Sequence, residues 1–85
     1  MTKHEKFLKR LMSGQADAEI NFGELCSLLD HLGFQVRIRG SHHIFSKDGI
    51  AEIINLQPAK AKVKPYQVKQ VRNLLRKYRL DKENE

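Results

Sequence analysis

The sequence has a single cysteine, Cys26, among its 85 residues. One cysteine cannot close an internal disulfide, and no Cys/His set with zinc spacing can be assembled around it. Cys26 falls among apolar residues at helical spacing, the usual place of a small buried hydrophobe. Long apolar runs are absent too, since nothing approaches the about 18 residues that a membrane span needs. The N-terminus carries lysines but lacks the apolar stretch of a secretory signal. A cytoplasmic protein with no membrane contact is the expectation. No internal repeat is visible, and a chain this short has room for one modest core.

What is present is positive charge: 16 Lys and Arg against 10 Asp and Glu, a formal net charge of +6. A surplus of that size favours phosphate-bearing or acidic partners. Thr2 with Glu5 forms a capping-box signal for a first helix, whose apolar stripe is Phe7, Leu8, Leu11 and Met12 and whose stop is Gly14. Residues 13–20 read as a linker. Asn21 caps a second helix with Glu24 three residues on, and Ile20 and Leu25 occupy the two positions of a hydrophobic staple. Phe22, Leu25, Cys26, Leu28, Leu29 and Leu32 form its apolar face, and Gly33 ends it.

The period then changes to two. Phe34, Val36 and Ile38 alternate with Gln35, Arg37 and Arg39, which predicts a half-buried strand with a basic outer face. Gly40-Ser41 turns the chain into a second strand from His42 to Lys47. Asp48-Gly49 is a two-residue hairpin signal leading to a third strand from Ile50 to Leu56. After the basic stretch "AKAKVK", Pro65 opens a last helix. Val68, Val71, Leu75 and Tyr78 are its apolar face, and Lys69, Arg72, Arg76 and Arg79 make a basic stripe beside it. Three domain segments are expected: an N-terminal helix and linker over 1–20, a folded domain over 21–80, and a polar tail over 81–85. The fold class is α+β, a small two-layer domain with a three-stranded antiparallel sheet and helices on one face. Without the first helix, its α-β-β-β-α order is that of the double-stranded RNA-binding fold.

His42 and His43 are the residues with the most chemistry. The expected hairpin register puts His43 and Phe45 on one face with Ile50 and Ile54, and His42 and Ile44 on the other with Ile53 and Asn55. Histidines on opposite faces do not form a metal pair, and no close carboxylate or cysteine completes a set. No metal or small-molecule cofactor is expected.

The stretch "LCSLLDHLGFQVRIRGSHHIF", a following hairpin and a Lys64-Pro65 helix start resemble the HicA family of bacterial toxins over roughly residues 22–79. The most specific element is the turn Gly40-Ser41-His42 with Phe45 behind it. The resemblance implies a ribosome-independent mRNA interferase, paired with a HicB-like antitoxin protein, in which one histidine of the turn is needed for activity. Carried over, that histidine is His42, with His43 as the runner-up. The family's Pro-x-His segment is replaced here by Leu56-Gln57-Pro58. RNA supplies its own nucleophile, the 2′-OH, so cleavage needs proton transfer and positive charge; imidazole and basic side chains provide these. Arg37, Arg39 and Lys47 by the turn and Lys69, Arg72 and Arg76 on the last helix are the candidate RNA contacts, with Gly40 and Ser41 holding the turn. Fold order and charge equally permit a non-catalytic RNA-binding module or a pure interaction domain.

Overall fold

Local capping sets where each helix begins. In the computed structural model, which describes residues 2–82, Thr2 Oγ1 accepts from the Glu5 backbone N–H and Glu5 Oε1 accepts from that of Thr2. This closed capping box starts helix α1, Lys3–Ser13. Asn21 Oδ1 likewise accepts from Glu24 N at 2.9 Å and starts α2, Phe22–His31, with Ile20 and Leu25 fully buried at the staple positions. At the far end, Phe34 N donates to Leu29 O and Gly33 N to Asp30 O. That pair of bonds is a Schellman motif, and it needs the left-handed φ of +94° that Gly33 supplies. Helix α3, Pro65–Lys77, opens on its proline. Most of the polar tail expected over 81–85 lies outside the described residues.

The strands β1 (Gln35–Arg39), β2 (His42–Ser46) and β3 (Ile54–Leu56) form one antiparallel sheet in the order β1-β2-β3. Phe45, Ile54 and Leu56 face inward and join Leu25, Leu28 and Leu29 of α2 and Val68, Val71 and Leu75 of α3 in a single apolar core. The architecture is the expected α+β arrangement. Helix α1 belongs to the same core through Phe7, Leu8 and Leu11.

Residues 13–20, expected as a linker, hold a 3-10 turn over Asp17–Glu19 and end on the fully buried Ile20. Two local expectations are corrected. The third strand does not run from Ile50. The Asp48-Gly49 turn does form, with Ile50 N donating to Lys47 O, but pairing resumes only at Phe45↔Ile54. The register is shifted by two residues from a tight hairpin, which preserves the faces because side chains alternate with period two. Residues between turn and strand dock on α3 instead. Ile50 packs on the core, and Glu52 accepts from Lys77 Nζ at 2.7 Å and from the Tyr78 hydroxyl. Finally, β1 is exposed along its whole length rather than half-buried, because it is the edge strand and no helix reaches over it.

Glu52 makes this docking pH-dependent. The Lys77 hydrogen bond first, and that of Tyr78 second, hold its carboxyl down to about 2. A carboxyl depressed below its unfolded value, near 4.3, stabilises the fold above that pH and loses its contribution as pH falls through the folded value. Glu52→Gln is therefore expected to flatten the acid limb of stability between roughly pH 4.5 and 2 in urea titrations. An unchanged acid limb would place the titrating group elsewhere.

Candidate active site

The turn between β1 and β2 is two residues long, with Arg39 paired to His42. Only its first residue, Gly40, has positive φ, +59°, the pattern of a type II′ hairpin turn. The turn presents His42 at the start of β2 on the outer sheet face, opposite the helices. Arg39 is its direct cross-strand neighbour, and Arg37 follows on the same face beside Ile44. His42 is exposed.

Two side chains of the third strand and its exit hold this turn. His42 Nδ1 lies 3.1 Å from Asn55 Oδ1. With the carboxamide oxygen as acceptor, Nδ1–H is the donor and Nε2 is left as the basic nitrogen facing solvent. Gln57 Nε2 donates to Ser41 Oγ at 3.1 Å. Gln57 comes from the segment where the sequence has Leu56-Gln57-Pro58 rather than Pro-x-His. Neither Asn55 nor Gln57 was among the sequence candidates. For Asn55 the signal was available, because the expected register already put it on the face of His42; Gln57 lies one residue past the end of β3, where strand parity no longer applies strictly.

His43 points the other way. It is half-buried with its ring edge-on to Phe22, 4.9 Å between centroids, and its Nδ1 is buried without a hydrogen-bond partner. The sheet separates the two imidazoles, so they do not act on one phosphate from the same side.

The basic candidates do not all converge. Arg37 and Arg39 stand beside His42. Lys47 lies just beyond the opposite end of β2, five residues and thus roughly 16 Å along the chain from His42; its ammonium lies against Gly33. The helix stripe serves the first helix instead. Arg72, only 8 % exposed, donates from both terminal nitrogens to the Asp17 carboxylate, at 2.7 and 3.0 Å, and from Nη1 to Leu11 O. Arg76 donates to Met12 O. These are carbonyls that the C-terminus of α1 leaves without helical partners. The expectation that Arg72 contacts RNA is therefore corrected: its guanidinium is committed to Asp17 and to α1. The guanidinium in turn holds the Asp17 carboxyl below the usual carboxylate range. Lys69 is exposed near Asp17, on the same seam, away from the outer sheet face. Cys26 is partly buried, and desolvation pushes its thiol up, which leaves it an inert core-side group.

The arrangement brings together an exposed imidazole, an amide within hydrogen-bond distance of it and two arginines on the same sheet face, the chemical means for proton transfer in an anion-attracting setting. The family comparison bears on the chain as a whole. The model of the HicA toxin of bacterial toxin–antitoxin systems matches residues 22–78. The chain belongs to the HicA toxin family. It is the toxin half of a toxin–antitoxin pair, from a family of RNases whose partner is a HicB-type antitoxin. The HicA match begins at α2, so α1 and the 3-10 turn lie outside it although they share the core. No curated protein and no solved structure matches the chain closely enough to add a relative. Among the described residues, no helix is long and apolar enough to cross a membrane.

Proposed function

We propose that this chain is a ribosome-independent mRNA interferase, acting in the cytoplasm, that cleaves RNA by His42-dependent, metal-independent attack of the 2′-OH. The observation that carries the reading is the His42–Asn55 contact beside Arg37 and Arg39. Nε2 of His42 takes the proton of a ribose 2′-OH. The freed oxygen attacks the adjacent phosphorus, the bond to the 5′-oxygen breaks, and that oxygen leaves with a proton supplied by water or by the imidazolium. Arg39 and Arg37 offset the charge that builds on the phosphorane oxygens. Asn55 contributes by keeping the proton on Nδ1, so that the basic nitrogen is the one turned to substrate. Gly40 and Ser41 contribute by fixing where His42 emerges.

Cleavage is expected to persist in excess EDTA and to yield one fragment with a 2′,3′-cyclic phosphate and one with a 5′-hydroxyl. End-group mapping of a defined RNA checks both. Activity that EDTA removes and zinc or magnesium restores overturns the mechanism. Binding of RNA without any cleavage, in a folded protein, would make the chain a non-catalytic RNA-binding module instead.

A further inference from the structure

We infer that the free edge of β1 is a docking site for a β-strand of a partner protein, one in which acidic residues alternate with apolar ones. The inference rests on the partner reading given above and is independent of the catalytic one. Edge strands leave a row of backbone N–H and C=O groups that a further strand can pair, and folded proteins usually blunt them with bulges, short length or covering elements. Strand β1 has none of these, and its one guard, the charge of Arg37 and Arg39, repels basic strands and admits acidic ones. Its pairing with β2 is regular over five residues, from Gln35↔Ser46 to Arg39↔His42. No other described strand lies beside it.

Its side chains define the occupant. Val36 and Ile38 are on the inner face, opposite Phe45 and His43, yet are 48 % and 61 % exposed because no helix reaches over them. Arg37 and Arg39 are on the outer face. A strand added to β1 puts its alternate side chains on these same two faces. Apolar residues on one face then meet Val36 and Ile38, and carboxylates on the other meet Arg37 and Arg39.

A second copy of this chain fits poorly. In antiparallel self-pairing, directly opposed residues share a face. Registers that match the apolar faces set the arginine rows of both copies on one face, and registers shifted by one set arginine against valine or isoleucine. Two chains of net charge +6 also repel. The other sheet edge is a poorer template. Strand β3 has three residues, and its Asn55 carbonyl already accepts from Gln67 Nε2 of α3 at 3.3 Å. A strand on β1 would lie two strand spacings, roughly 10 Å, from the β2 backbone. It would inhibit by taking Arg37 and Arg39 from the RNA rather than by covering the imidazole.

The test uses the full chain and a synthetic ten-residue peptide of alternating valine and glutamate. Backbone NMR is expected to show shifts concentrated on Gln35–Arg39 and slowed amide exchange there. The Val36→Ser/Ile38→Ser double variant should bind at least 5-fold more weakly and still cleave RNA at the wild-type rate. The same peptide with lysine for glutamate should not bind. No shift at millimolar peptide, shifts centred on β3, or equal binding of the lysine peptide each overturn the inference. So does a short RNA that is weakened equally by the double variant, because the edge would then belong to nucleic acid. Loss of cleavage in the wild type would refute the nuclease reading and leave the peptide result standing.

Discussion

His42→Ala is expected to slow RNA cleavage by at least about 100-fold, the smallest effect typical of losing a positioned general base. The fold should survive, because the side chain is exposed and so is Asn55, its hydrogen-bond partner. His43→Ala should do the opposite. It removes a half-buried ring packed against Phe22, so its cost falls on stability, less whatever is regained by losing a buried nitrogen without a partner, while cleavage per folded molecule stays near wild type. Asn55→Ala should fall between them, since the imidazole remains but its proton is free to move to Nε2. Single-turnover cleavage alongside circular dichroism separates the three variants. If His42→Ala and His43→Ala both cleave as well as wild type, the proton-transfer group lies elsewhere.

Arg72→Ala should unfold the protein more easily by about 3 kcal/mol, the lower end of the loss for removing one partner of a buried ion pair. The lower end applies because Asp17 retains some contact with water, its side chain being 26 % exposed. The substitution leaves the Asp17 carboxylate and the Leu11 carbonyl unsatisfied and opens space where the guanidinium crosses from α3 to α1. Asp17→Asn should cost less, because an amide oxygen still accepts from Arg72. Urea unfolding measures both. RNA affinity of the folded Arg72→Ala protein should match wild type, with the same salt dependence, whereas Arg39→Ala should lower that slope by about one. Arg72→Ala that weakens RNA binding and leaves stability within roughly 0.5 kcal/mol of wild type would return Arg72 to the RNA interface.

Helix boundaries were legible because each is written in local chemistry. Thr2 with Glu5, Asn21 with Glu24, Gly33 and Pro65 act within a few residues of themselves. The opposite orientation of the two histidines was legible for a similar reason: strand parity survives a two-residue error in register. The length of β3 was not legible. Asp48-Gly49 is a sound turn signal, but whether strands pair directly beyond it depended on Glu52 finding Lys77 and Tyr78, more than twenty residues away in the chain. The fate of the basic helix stripe was hidden in the same way. Nothing local to Arg72 says that Asp17 and the end of α1 will stand over it. Spacing alone treats Lys69, Arg72 and Arg76 as one surface, while the structure gives Arg72 and Arg76 carbonyls to satisfy. The exposure of Val36 and Ile38 depends on how far the helices extend over the sheet, which alternation does not encode.

The grip of Arg72 on Leu11 and Asp17 joins residues 61 and 55 positions apart. Helix α1 is thus completed by α3, which is made well after it. Until α3 has emerged from the ribosome, the core that α1 shares with it is incomplete and the carbonyls ending α1 have no guanidinium. Contacts of such high sequence separation form late and favour folding as one unit. A nascent chain of this protein therefore carries the His42 turn well before it has a finished core to present it on. The time at which the core is finished is set by when α3 becomes available, and a partner strand could meet the exposed β1 edge before then.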